Sequence, residues 1–323
     1  MKEKTEKKRR FWNSLPAMIV SAPNIVLPDR TQDTCRRFVF AADLHTDADP
    51  YRDRSDVLRL ALSGITKNVP WADGLILAGD ITNCGDEKEY ALLERLCLAY
   101  VRARNVLPEM GNHDAWHHSD DPDHEKASRC FRQFAAFCNH PIAANYYDAA
   151  VGDCRFIMTG SERALENEAY LSDVQLGWVA DVLADAVEKG QHIFVVCHQP
   201  LNGTHGVGER MWPEGELMAQ GERLRSMVFA AAEKSSRPVF FVSGHLHKMG
   251  ENTVERPRGN LFLLNLPSLE YESDETYGAG IGFILKEYYD YMRLSAFDFI
   301  RQRKVPGFDL EIRWQATPAG FPG

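Results

Sequence analysis

Seven residues with metal-ligating side chains fall into five short motifs along the chain. The motifs are Asp43-Leu44-His45, Gly79-Asp80, Gly111-Asn112-His113-Asp114, His198-Gln199-Pro200 and Gly244-His245-Leu246-His247. The ligand types are Asp, Asn and His, so the donors are oxygen and nitrogen with no thiolate. Such a set suits manganese, iron, zinc, cobalt or nickel rather than a soft ion. Side chains alternate along a strand, so Asp43 with His45, and His245 with His247, would each aim two donors to one side. Seven ligands are more than one tetrahedral ion needs. Two divalent ions sharing a carboxylate would use them, and such a pair lowers the pKa of a bound water and clamps an in-line displacement. Each motif alone is weak: Asp-x-His recurs by chance, and Gly-Asn-His-Asp equally suits a turn. Their meaning lies in the series.

Elements that could gather these motifs are legible. Each motif closes a strand-length apolar run: Phe38 to Ala42, Gly74 to Ala78, Val106 to Met110, His192 to Cys197 and Val239 to Ser243. Two further runs, Cys154 to Thr159 and Leu261 to Leu266, have the same character. Runs apolar on both faces are strands buried between layers. Between them lie helical patterns. Asp86-x-x-Glu89 forms a capping box ahead of Tyr90 to Ala103, and Ser172-x-x-Gln175 opens a helix through Glu188 that Gly190 stops. Helical periodicity also marks Ser55 to Asn68, Lys126 to Cys138 and Glu216 to Lys234. Strands alternating with helices predict an α/β fold with a core of parallel strands, and ligands bind at the carboxyl ends of such strands. The expected organisation is an N-terminal arm over residues 1–33, one catalytic domain over 34–300 and a C-terminal tail over 301–323, with one short strand at Leu310 to Trp314.

Charge and composition exclude several classes. The formal net charge of −9 argues against a broad basic surface, so no nucleic acid polymer is expected as a partner. No apolar run approaches the roughly 20 residues that span a bilayer, so no membrane partner is expected. The seven cysteines are odd in number and contain no C-x-x-C pair, which fits a reducing compartment and a cytoplasmic location. The basic start, Met1 to Arg10, precedes an apolar patch broken by Pro16 and Pro23. It reads as a solvated arm rather than an export signal.

The ordered series Asp-x-His, Gly-Asp, Gly-Asn-His-Asp, His and Gly-His-x-His resembles the calcineurin-like metallophosphoesterases, over about Phe38 to His247. The resemblance implies a four-layer α/β/β/α sandwich and two divalent ions, among manganese, iron, zinc and cobalt. It implies that Asp43, His45, Asp80 and His247 hold one ion. Asp80, Asn112, His198 and His245 would hold the other, with Asp80 bridging. His113 would be the catalytic histidine outside the ligand shell, and Asp114 would orient its ring. The implied activity is hydrolysis of a small phosphoester by a metal-bridged hydroxide.

Narrower expectations rest on the residues after Gly79-Asp80, which are Ile81-Thr82-Asn83-Cys84-Gly85. Protein Ser/Thr phosphatases carry Asp-Arg-Gly there, and that arginine is absent. Purple acid phosphatases place a tyrosine ligand where Asn83 stands. The stretch is similar to bacterial class III phosphodiesterases, which cleave cyclic nucleotides and glycerophosphodiesters. A small phosphodiester is therefore the expected substrate. The alternatives are a phosphomonoesterase or nucleotidase of the same fold, and a non-catalytic scaffold. The loops following His113 and His198 offer His117, His205 and Arg210 as candidate substrate contacts. Oligomeric state is not legible.

Overall fold

A computed structural model describes residues 35–49, 55–116, 124–207, 216–270 and 278–314. The N-terminal arm, His117 and Arg210 lie outside them. Thirteen strands among the described residues build two sheets.

The first sheet has the order β12-β11-β10-β1-β2-β3, with β13 also paired to β11. Its strands are β1 (Arg36–Ala41), β2 (Gly74–Ala78), β3 (Val106–Glu109), β10 (Ile281–Glu287), β11 (Tyr291–Asp298), β12 (Arg303–Lys304) and β13 (Leu310–Arg313). The β1-β2-β3 half is parallel, and β10 and β11 continue it antiparallel. The second sheet has the order β4-β5-β6-β7-β9-β8. It comprises β4 (Tyr147–Val151), β5 (Cys154–Met158), β6 (His192–Val196), β7 (Val239–Ser243), β8 (Val254–Glu255) and β9 (Leu261–Asn265). Strands β5, β6, β7 and β9 run parallel, with β4 and β8 as antiparallel edges.

The sheets face each other across one apolar layer, where Phe38 and Phe40 of β1 meet Phe156 of β5 and Phe194 of β6. Phe194 stacks on Phe240, and Phe240 on Phe262, so a row of rings crosses three neighbouring strands. The opposite face of the second sheet packs Ile157, Val195 and Phe241 under α5 (Asp173–Glu188) and α6 (Gly221–Lys234). On the outer side of the first sheet, α1 (Ser55–Asn68) and α2 (Glu87–Tyr100) bury Leu58, Leu62, Leu92, Leu93 and Leu96. The remaining helices are α3 (His113–Trp116) and α4 (Glu125–Phe137). Helices outside and sheets inside make the expected four-layer α/β/β/α sandwich.

The core of parallel strands is as expected, and β10 and β11 add antiparallel strands to the first sheet. Strand β13 forms within the short strand expected at Leu310 to Trp314; it and β12 pair with β11, and Ile312 is buried in the inter-sheet core. Helix α6 starts at Gly221 rather than Glu216. All seven cysteines are free thiols, as expected. Among the described residues, no helix is long and apolar enough to cross a membrane.

The capping box of α2 gives a pH prediction. Glu89 accepts from the backbone N–H of Cys84 at 2.8 Å and of Asp86 at 3.4 Å. Burial, with Asp47 and Asp86 adding repulsion, pushes its pKa from 4.5 up to about 7. A raised acid pKa means the folded state binds more protons than the unfolded chain between these values. Stability is therefore lost as pH rises from about 4.5 to about 7, and the loss persists above that. Glu89→Gln keeps both accepted hydrogen bonds and does not titrate. Urea midpoints across this range should show the wild type falling relative to Glu89→Gln; a constant difference would contradict the assignment.

Candidate active site

The five motifs lie at one end of the sandwich, just beyond the carboxyl ends of β1, β2, β3, β6 and β7. Pairing continues past the strands: Asp43 N donates to Gly79 O, and His45 N to Asp80 O at 2.9 Å. Gly244 N donates to His198 O at 2.9 Å, joining the β6 and β7 motifs in the same way.

The convergence does not come from strand alternation, as the Asp-x-His spacing suggested. Asp43, His45, Asp80, His245 and His247 all have positive φ, between 41° and 71°. Non-glycine residues take this left-handed region at a cost of the order of 1–3 kcal/mol, and such strain collects at functional sites. Here it turns each chain as it leaves its strand, so that side chains swing into a common centre.

The glycines of the motifs have a matching role. A Cβ on Gly111 would lie 2.2 Å from Asp80 Oδ1, and one on Gly244 would lie 2.5 Å from Asp43 Oδ2. On Gly79, whose φ is +76°, it would lie 2.4 Å from the His198 ring. Gly79→Ala should thus displace His198 and weaken cation binding at least about tenfold, as loss of support around a ligand commonly does. Gly190→Ala is the control: its φ is +63° but nothing lies near its Cβ, so only about 1 kcal/mol of backbone strain is expected. Calorimetric metal titration with thermal melting separates the two effects.

The ligand atoms form two groups that share Asp80: Asp43, His45, Asp80 and His247, then Asp80, His198 and His245. His45 Nε2 lies 3.0 Å from His247 Nε2, and His247 Nε2 lies 2.9 Å from Asp43 Oδ1. His198 Nε2 lies 2.9 Å from Asp80 Oδ2 and 3.7 Å from Asp43 Oδ1. Donors about 2.1 Å from a common cation stand roughly 3.0–3.4 Å apart. The shortest separations approach that spacing, and two imidazole nitrogens facing each other at 3.0 Å suit a cation better than each other. The donor set and its spacing fit a pair of divalent ions.

Electrostatics point the same way. Burial opposes ionisation of Asp80 and Asp43, yet the neighbouring histidines hold both carboxyls below the usual range. Burial alone would lower His198, but Asp80 and Asp43 outweigh it and hold the ring up at about 10. His247 is raised through Asp43 despite its burial. Burial pushes His45 and His245 down to about 3, helped in each case by a neighbouring imidazolium. Two buried carboxylates thus demand positive charge at the centre.

Asn112 and His113 reach the cluster from the β3 turn. Asn112 Oδ1 lies 3.1 Å from His245 Nδ1. The His113 ring stands edge-on to His45, with centroids 4.6 Å apart. Its backbone N–H donates to Asp80 Oδ1 at 2.8 Å.

Two sequence expectations fail here. Asp114 does not orient the His113 ring. Its buried carboxylate accepts from Gly111 N at 2.8 Å, from Thr82 N at 2.9 Å and from Thr82 Oγ1 at 2.6 Å. It ties the β3 turn to the segment after Asp80, while His113 Nδ1 faces Asn83 O at 3.0 Å. Burial and the Asp80 charge push Asp114 up to about 6. His205 is not offered to substrate either. It is 1% exposed, its N–H donates to Glu255, and its Nδ1 lies 2.5 Å from Asn252 O. These contacts anchor its loop to residues 252–255.

The sequence reading missed Thr82, the Asn83 carbonyl and Gln199. Gln199 carried a signal, since it sits inside the His198 motif. A backbone carbonyl such as that of Asn83 leaves none.

A family model for calcineurin-like phosphoesterases matches residues 36–249. The chain belongs to that family. It is accordingly a metal-dependent phosphoric ester hydrolase with a candidate dimetal site. No curated protein matches the sequence of this family member. Among solved structures, a dimetal phosphatase from Danio rerio is 15% identical, with a TM-score of 0.58 over 88% of this chain and 100% of that one. The purple acid phosphatase PPD1 of yellow lupin is 12% identical, with a TM-score of 0.58 over 92% of this chain and 58% of that one. The anchor of the Plasmodium inner membrane complex is 11% identical, with a TM-score of 0.55 over 88% and 91%. These likenesses are of fold. They fit a calcineurin-like phosphoesterase sandwich that carries different roles in different proteins.

Proposed function

We propose that this phosphoesterase hydrolyses small phosphodiesters at two divalent ions. Asp43, His45, Asp80 and His247 would hold one ion, and Asp80, Asn112, His198 and His245 the other. The observation that carries the reading is the pair of buried ligand groups sharing Asp80. When bound, the ions supply Lewis acidity and activate water. They would also make the pocket locally positive inside an acidic protein, since Asp43 and Asp80 are the only carboxylates among the proposed ligands.

The chain's own residues do the rest. Asn83 O can only accept, so His113 Nδ1 would carry its proton there, and Nε2 is the ring nitrogen that would act on the reacting groups. From that position His113 would stabilise developing charge or protonate the leaving oxygen. Asp114 keeps the His113 turn and the Thr82 segment together, and so acts as a positioning residue.

The diester preference rests on the segment after Asp80. Ile81-Thr82-Asn83 puts no arginine where a monoester dianion would be gripped. The solved neighbours include proteins described as phosphatases, so the monoester is the competing substrate. Metal-reconstituted protein should turn over bis-p-nitrophenyl phosphate faster than p-nitrophenyl phosphate. The reverse order would make it a phosphomonoesterase. No turnover of either would favour a scaffold, in the manner of the Plasmodium anchor.

A further inference from the structure

An asparagine ligand has a fault that a carboxylate lacks. Its amide presents oxygen in one orientation and an NH2 group in the other, and only the oxygen can bind a cation. Something must therefore fix the flip of Asn112. Gln199, buried beside it, donates from Nε2 to Asn112 Oδ1 at 3.0 Å. The same Nε2 donates to Asn167 O at 3.2 Å. On its other side, Asn112 Nδ2 donates to Glu166 O at 2.7 Å. Flipping Asn112 would set its oxygen against the Glu166 carbonyl and its NH2 against the Gln199 NH2. Both contacts would become repulsive. Flipping Gln199 would likewise set its oxygen against both Asn112 Oδ1 and Asn167 O.

The two carbonyls belong to one loop between β5 and α5. That loop is itself tied down, because Ala169 N donates to Leu217 O and Gln175 Nε2 donates to Gly160 O. Gln199 thus transmits the loop's position to the amide oxygen. It occupies one of the two Oδ1 lone pairs and leaves the other on the side of His245.

We propose that Gln199 is a positioning residue for the Asn112-side ion: it locks the amide so that oxygen, not nitrogen, meets the cation. This rests on the dinuclear reading above. Its test is stepwise Mn2+ binding to metal-free protein by titration calorimetry, for the wild type, Gln199→Met, Gln199→Leu and Asn112→Ala. Methionine keeps the length of the side chain and removes the donor, and leucine serves if methionine does not fold. The expected result is one ion bound within about twofold of wild type and the other weakened roughly 10–100-fold, the usual loss on removing an outer-sphere partner. Asn112→Ala should weaken the same ion further. If Asn112→Ala loses that ion while a folded Gln199 variant binds both as the wild type does, the positioning role is wrong and the dinuclear reading stands. If the wild type takes up fewer than two ions, the dinuclear reading fails and this role with it; if Asn112→Ala binds both ions as the wild type does, Asn112 is not a ligand and the Gln199 role fails while the dinuclear reading stands.

Discussion

His113→Ala should lower kcat by about 10²–10⁴, the contribution of a positioned general acid or base, while both ions still bind. The ring reaches the cluster without belonging to either ligand group. It stands edge-on to His45 and is half-buried. Its backbone N–H, which supports Asp80, is unaffected by the substitution. The ligand shell should therefore survive, and metal analysis should return the wild-type content. The Asn83 carbonyl holds Nδ1, so a substituent that keeps only a donor at that place, such as His113→Asn, should restore little turnover. Steady-state rates with bis-p-nitrophenyl phosphate, measured beside metal content, check this. Undiminished kcat would remove His113 from the chemistry. Lost metal would make it a structural residue.

Asp80→Asn should empty both positions. Asp80 is the one residue common to the two ligand groups, and it is fully enclosed. Its Oδ1 accepts the His113 N–H and its Oδ2 faces His198. Asparagine keeps the shape and the accepted hydrogen bond, so the fold should persist. It removes a negative charge that two cations would share, and it aims an NH2 group or a neutral oxygen at their place. Affinity for both ions should fall more than about 100-fold, beyond what loss of an outer-sphere partner costs. The His198 pKa should also fall, because the Asp80 charge is the largest of those that raise it. Metal content after gel filtration should drop from two ions per chain to less than one. Retention of two would show that Asp80 does not bridge.

The legible part of the fold was the part with simple periodicity. Strands β2 and β7 and helix α1 begin and end where apolar runs and helical spacing place them. Both capped helices, α2 and α5, follow from Asp86-x-x-Glu89 and Ser172-x-x-Gln175, since a cap is a local hydrogen-bonding device. Strands β10 and β11 escaped notice. Strand β10 owes its place to pairing with β1 across more than 240 residues of chain, which no short window contains, and β11 folds back on β10 as a hairpin.

The same division runs through the site. The sequence by itself determined the ligand types, their order and the glycines that precede them, because donor chemistry and the lack of a Cβ are properties of single residues. It carried the family for the same reason. What only the tertiary structure decided is how the groups meet. Left-handed turns, rather than strand alternation, bring Asp43, His45, Asp80, His245 and His247 together. The Asn83 carbonyl, not Asp114, holds the His113 ring. Gln199 and two loop carbonyls fix the Asn112 amide. Backbone conformation and backbone acceptors are common to every residue, so they leave no mark in a sequence until the fold sets them in place.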